Sequence, residues 1–410
     1  MLIHWIWLAT RPSLTDQQKK LALDAFSDAE DVYCAKQEDY RQIEGLTQEE
    51  VGSLMDKNLT LAEEVLRQCI DKQIKICLFS DEAYPQRLKH IIDPPLVLYY
   101  KGNLPAMDHL PVIAAVGTRG ASAYGLQVAR RMGYQIAGCG GTVVSGVAKG
   151  IDAMAMQGAL LAGGTVVGVL GCGVDVVYPA ANRELFADII RNGCLISEFP
   201  PETPPHKWNF PKRNRILSGL SNGVVVIEAP QGSGALITAK QALEQGRDVF
   251  SVPGNVDMPT FEGSNALLRE GAIPARNGWD VVGEYEMLYP QIIHRVDAEP
   301  AEGCYDVHEK MPLKLAQNTV SPGKKQKSDK KKEKKPIDKE EKQPYSDVKG
   351  ILPSLPDTQR QIVELLTQER LVDEIIEQTG LPAAKVSAAL TVLEIKGIIR
   401  RLPGKRIVLK

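Results

Sequence analysis

Apolar and polar positions alternate in blocks along the middle of the chain. Short continuous apolar runs, "VIAAVG", "TVVSG", "TVVGVLG", "CLISE", "GVVVIEA" and "DVFSVPG", recur between residues 111 and 285. Between them lie longer stretches with helical spacing, such as "YGLQVARRMGYQIAG", "GIDAMAMQGALLAG", "ANRELFADIIRNG" and "GALITAKQALEQG". Continuous Val/Ile runs joined by helices predict a mainly parallel α/β sheet, doubly wound and covered on both faces. Ligands in such sheets bind beyond the carboxyl ends of the strands.

The flanks read differently. Residues 1–80 are expected to form a helical domain, either a plain bundle or a helix-hairpin-helix type module. Ser13 or Thr15 is a candidate cap, and Thr47 with Glu50 forms a capping box. The apolar start "MLIHWIWLATRPSL" lacks a basic n-region and a cleavage site, so it is read as a buried segment rather than a signal peptide. Residues 76–101, extended and Pro-rich, read as a connector belonging to the sheet domain, 81–290. Residues 291–350 carry "SPGKKQKSDKKKEKKPIDKEEKQP" and are expected to be a disordered linker. Residues 351–410 show three short helices and a hairpin with a turn at Pro403-Gly404, a winged-helix pattern.

Charge changes the picture locally. The net charge is only −2, yet basic clusters stand at 207–215, 324–335 and 396–410, and local fields recruit polyanions whatever the total. The seven cysteines show no CxxC spacing and the six histidines are scattered. The expectation is therefore no metal, no cofactor and no disulfide framework, with buried free thiols in a cytoplasmic protein. No stretch is long enough to span a bilayer, so no membrane insertion is expected.

Candidate chemistry gathers after the strands. "VGTRGASAYG" places Gly117 and Gly120 in a tight turn, with Thr118 and Arg119 beside a helix start that offers N–H groups to phosphate. The spacing is not GxGxxG, which argues against a dinucleotide. "SGVAKGIDAMA" opens another helix, with Asp152 in its first turn as a cap or a site residue. The segment "HKWNFPKRNR" holds Lys207, Lys212, Arg213 and Arg215 with no acid, and Trp208 and Phe210 among them. It reads as a basic loop near a helix start. Cations on phosphate beside an aromatic stacking platform are what sequence-tolerant single-strand binding needs; a nucleotide cofactor is the other reading. Gly232, Ser233 and Gly234 bring more amides to the same rim. No general base or nucleophile stands out, which favours binding over catalysis.

These motifs, with "GCGVDVVYPAAN", "SEFPP", "FPKRNRILSGLSNGVVVIEA" and "EGSNALLREGA", resemble in order the bacterial DNA-processing protein A family, also called Smf. The resemblance is dense over 112–280. It implies an extended Rossmann fold that binds single-stranded DNA, loads the RecA recombinase onto it, protects incoming DNA in natural transformation, and forms a homodimer. It implies a phosphate pocket at Gly117, Thr118 and Arg119, strand contacts at Lys207 and Phe210, and the RNR triplet at Arg213, Asn214 and Arg215. Lys149, Lys212, Lys240 and Gly232–Gly234 complete the candidate DNA-binding set, and no residue is assigned as catalytic. Met156 stands where the family often has His. A fainter resemblance is to the lonely-guy phosphoribohydrolases, whose PGGxGTxxE signature is echoed by "PQGSGALIT"; Thr238 stands in place of their catalytic Glu. A transcription factor acting through 355–410 is a third reading, poorly supported because "PAAKVSAALTVLEIKG" has few base-reading side chains.

Overall fold

A computed structural model of the chain describes residues 1–296, 356–366, 370–396, 398–402 and 406–409. The expected Lys-rich linker lies outside the described residues from 297 on, as do Cys304 and the expected turn at Pro403-Gly404. The chain divides into two compact units, Met1–Gln317 and Asn318–Lys410.

The first unit is built on one nine-stranded sheet: β1 (Lys75–Leu78), β2 (Val97–Gly102), β3 (Val112–Val116), β4 (Thr142–Ser145), β5 (Val166–Val169), β6 (Gly193–Ser197), β7 (Gly223–Val226), β8 (Asp248–Ser251) and β9 (Ile273–Pro274). Their order is β1-β2-β6-β5-β4-β3-β7-β8-β9. From β6 to β9 every pairing is parallel, and β1-β2-β6 is antiparallel. The segment read as a connector thus supplies two strands. Its prolines hid them, yet Pro85 precedes a helical turn and Pro94 and Pro95 lie just before β2, where a missing N–H costs no ladder bond.

The chain winds outward from β3 to β6, then returns to the other side of β3 and continues through β7, β8 and β9. The helices Ala123–Gly138, Ile151–Leu161 and Arg183–Asn192 pack on one face, where Val128, Ala155 and Ile189 are buried in one core. The same core takes in Trp5, Trp7, Leu54 and Val65 from the N-terminal helices. The helices Asn209–Leu220 and Gly234–Glu244 cover the other face through Ile216, Leu217, Ala235 and Ala239. The reversal leaves a crevice between the carboxyl ends of β3 and β7, the topological switch point.

In the N-terminal part Thr15 caps the helix Asp16–Phe26 and forms a capping box with Gln18, while Thr47 and Glu50 form the expected one. The apolar start is the helix Leu2–Ala9, with Trp5, Ile6, Trp7 and Leu8 buried. Among the described cysteines, all free, Cys34 is exposed and the other five are buried.

The second unit has the helices Asp357–Leu365, Val372–Thr379 and Ala383–Ile395 and the strands β10 (Arg370–Leu371), β11 (Ile399–Leu402) and β12 (Arg406–Leu409). The strands form a small antiparallel sheet ordered β10-β12-β11. Ile362, Leu390, Leu393 and Ile407 close its own core.

Candidate nucleic-acid interface

The segment read as a basic loop is largely a helix, Asn209–Leu220. Pro211 in its first turn obscures the pattern in sequence, but a proline there forfeits no intrahelical bond. Asn209 pins the start by donating from Nδ2 to the Gly171 carbonyl, 3.0 Å away. One face of this helix carries Phe210, Arg213, Asn214 and Leu217 at helical spacing, and it faces the switch-point crevice.

A cleft of about 330 Å³ results. Gly117, Thr118 and Arg119 line it from the turn after β3, Ala148 from the loop after β4, and Asp152 from the first turn of the helix Ile151–Leu161. Ser233, Gly234 and Thr238 close it from the start of the helix Gly234–Glu244. Together with the helix Asn209–Leu220, four separate segments of the sequence thus meet at one rim. Gly232 holds the left-handed turn, φ +74°, that leads into that helix, and the Ser233 hydroxyl accepts from the Ala235 N–H at 3.3 Å.

The cations are not equivalent. Arg119 is exposed, and its guanidinium lies over the Phe210 ring, 5.3 Å from the centroid. Tyr178 packs against the same ring at 5.6 Å. Arg213 is buried at the cleft floor and donates from Nη1 to the Val169 carbonyl, while its Nε has no partner. It faces Asp152 across Gly146, where an added Cβ would lie 2.4 Å from Nη2 and 2.7 Å from the Asp152 carboxylate. Only glycine leaves room for that pair. Burial lowers the Arg213 pKa to about 10 against the pull of Asp152, and burial raises that of Asp152 despite Arg213. The Asp152 carboxylate also accepts from the Gly146 N–H at 3.2 Å.

Arg215 is turned the other way. It is buried and binds Glu198 at 2.7 Å, Asp93 at 2.8 Å and Asp16 at 3.0 Å. These carboxylates raise its pKa against the opposing effect of burial. It therefore offers no free donor face to a strand, and the RNR triplet splits: Arg213 and Asn214 to the cleft, Arg215 to a lock between the N-terminal helices and the sheet. Nothing in the linear spacing of the triplet distinguishes the two arginines; the side is set by the helix. Lys212 lies on the Arg215 side, paired with Asp16 at 2.7 Å.

The expected phosphate site at the first helix start is also corrected. Glu228, wholly buried after β7, accepts from the Ser122 N–H at 3.1 Å and from the Ser122 hydroxyl at 2.9 Å. Ser122 itself caps the Gly125 N–H. A Cβ on Gly125 would overlap the Glu228 carboxylate at 1.6 Å. The chain's own carboxylate thus occupies the place where a dinucleotide fold seats its pyrophosphate. Of the remaining candidates, Lys207 and Lys149 are exposed, Lys149 next to Ala148 of the cleft wall. Lys240 is exposed and pairs with Glu244 at 3.8 Å, outside the lining. Met156 is buried in the core, not at the site.

Among the described residues no cluster is suited to a metal ion, and no helix is long and apolar enough to cross a membrane. Fold and cleft together define a switch-point α/β protein whose site offers a cation, an aromatic ring and backbone amides to an anionic ligand.

The family model for DNA recombination-mediator protein A matches residues 75–286, and that for the DprA winged helix domain matches 350–405. DNA processing protein DprA of Bacillus subtilis is 42% identical over 220 residues, covering 54% of this chain and 74% of that protein. Protein Smf of Synechocystis is 33% identical over 335 residues, 80% of this chain and 78% of that one. The X-ray structure of DNA processing protein A from Streptococcus pneumoniae superposes with TM-score 0.61 at 33% identity, covering 69% of this chain and 98% of that chain. The chain belongs to the DNA recombination-mediator protein A family.

Proposed function

We propose that this chain is a recombination mediator that binds single-stranded DNA in the cleft between β3 and β7. The observation that carries this reading is the convergence of Arg119, Phe210 and the helix start at Ser233 and Gly234 from three chain segments on one rim. A cleft of about 330 Å³ suits one nucleotide unit. Duplex DNA has no free base face to offer it, whereas every base of a single strand does. The Thr118 hydroxyl and the side chains of Arg119 and Asn214 supply donors within the cleft, while the Thr118 N–H is held by the Glu228 carbonyl at 2.7 Å. Exposed Lys149, next to Ala148 of the wall, and exposed Lys207, shortly before Phe210 in the chain, add charge, and buried Arg213 contributes positive field from the floor.

The finer role in this proposal is the one the resemblance implies: the protein loads the RecA recombinase onto the strand, protects incoming DNA in natural transformation, and works as a cytoplasmic homodimer. We read the site as one of binding rather than turnover. Asp152 is the one carboxylate among the lining residues, and it is tied to Gly146 and opposed by Arg213. Thr238, where a phosphoribohydrolase would need its Glu, is buried in the wall. The test is a gel-shift comparison of single-stranded and duplex DNA, with and without RecA, beside a turnover assay on nucleoside monophosphates. Preference for single strands and faster filament growth with the protein present support the reading; nucleotide turnover without strand binding contradicts it.

A further inference from the structure

Phe210 is a crowded stacking platform. Arg119 lies over its ring and Tyr178 packs against it at 5.6 Å. Two residues earlier stands a more open one. Trp208 is 63% exposed, although it is the largest aromatic type and sits in the most basic segment of the first unit. The other three tryptophans differ: Trp5 and Trp7 are buried, and Trp279 is partly buried against His294.

Trp208 is held rather than loose. Its ring stacks on that of His206, centroids 4.6 Å apart and planes within 11°. The backbone beneath is fixed by bonds from the His206 N–H to the Pro204 carbonyl at 2.9 Å and from the Asn209 N–H to the His206 carbonyl at 3.0 Å. The Asn209 side chain anchors the next residue to Gly171. One indole face is therefore backed by the imidazole and the other is open, so little ordering remains to be done on binding.

Its surroundings are cationic. Lys207 is exposed and makes no ion pair among the described residues. One turn on, Lys212 is 45% exposed on the same flank of the helix, although its amine already holds Asp16. Residues two apart on a helix point in different directions, so Trp208 lies around the helix start from the cleft-facing Phe210 rather than beside it. A strand leaving the cleft at Phe210 and crossing the first helical turn would meet Lys207 and then the open indole face.

We propose that Trp208 is a second base-stacking site, which takes a nucleobase further along the strand held at Phe210, with Lys207 on the intervening backbone. It rests on the single-strand reading of the cleft. The His206 imidazole on one side and a base on the other would sandwich the indole, a contact that any base can make.

The experiment uses the full chain and labelled oligothymidylates of increasing length, with Trp208→Phe, Trp208→Leu, Trp208→Ala and Arg119→Ala beside the unaltered protein. For the longer oligonucleotides, Trp208→Ala and Trp208→Leu should bind about fivefold or more weakly, and Trp208→Phe should keep most of the affinity. For the shortest that fill only the cleft, all three should bind as the unaltered protein does. Binding of the long strand should quench tryptophan emission and shield it from iodide, and the change should vanish in Trp208→Phe. If all Trp208 variants bind long strands normally while Arg119→Ala binds weakly, the second site is overturned and the cleft stands. If Arg119→Ala also binds normally, the cleft reading fails, and this proposal with it. Leu performing as well as Phe would show an apolar contact instead of stacking and would likewise overturn it.

Discussion

Arg119 covers the ring of Phe210 in the cleft between β3 and β7, its guanidinium 5.3 Å from the ring centroid. The cation and the proposed stacking platform thus cover one another. On the proposed reading, a base seated on Phe210 would displace Arg119 from the ring towards a phosphate. Phe210→Ala removes the platform and is expected to weaken single-strand binding by about 1–3 kcal/mol. Phe210→Tyr and Phe210→Trp are expected to retain most of it. Thermal melting recorded beside binding checks that the loss is one of contact; a lowered melting temperature that accounts for weak binding would instead make Phe210 a core residue.

Arg215 is expected to behave unlike Arg119. It lies among Glu198, Asp16 and Asp93, and Glu198 is deeply buried. Arg215→Ala strands those carboxylates without their cation, and loss of one partner of a buried pair typically costs about 3–5 kcal/mol. A large fall in the denaturant midpoint is predicted, measured by urea unfolding. Arg119→Ala, at an exposed position, should leave the midpoint nearly unchanged.

Lys57 gives a pH signature. Its amine sits 4.8, 5.0 and 5.3 Å from the ring centroids of Tyr40, Trp7 and Tyr33 and donates to the Tyr40 hydroxyl. Burial there pushes its pKa down to about 8 from 10.5. The unfolded chain then binds more protons than the folded one between those values, so stability should rise with pH across that window. Unfolding curves of Lys57→Met and the unaltered protein, compared from below pH 8 to above pH 10, should converge at the alkaline end. A parallel pair of pH profiles would contradict the assignment.

The winged-helix unit is expected to be an accessory. Every residue of the cleft lies before 240, and the first unit ends at Gln317. A chain cut after Val320 should fold, by circular dichroism, and still prefer single strands. The final fifteen residues carry six cations and no acid, so a modest loss of affinity at low salt is expected. Loss of all strand binding with the fold intact would move the site to the second unit.

The central sheet was legible because its parallel strands are buried on both sides and read as unbroken Val/Ile runs. The turns that rim the cleft were legible through their glycines. β1 and β2 were not, because short edge strands near prolines lack that signature. The helix Asn209–Leu220 was masked by Pro211, and with it the opposite directions of Arg213 and Arg215. Glu228 is the plainest miss. A single acid after an apolar run carries no sign that it will reach across to Ser122 and fill a helix start, since that depends on β7 lying next to β3.

The most direct measurement is an equilibrium titration of the unaltered protein and Arg119→Ala with single-stranded and duplex oligonucleotides over a range of salt. The account predicts tighter binding of single strands by the unaltered protein, with little dependence on sequence. It predicts weaker binding by Arg119→Ala across all sequences, with a salt slope smaller by roughly 1. Equal affinity of the two proteins for single strands, or a preference for duplex DNA, would contradict a strand site between β3 and β7.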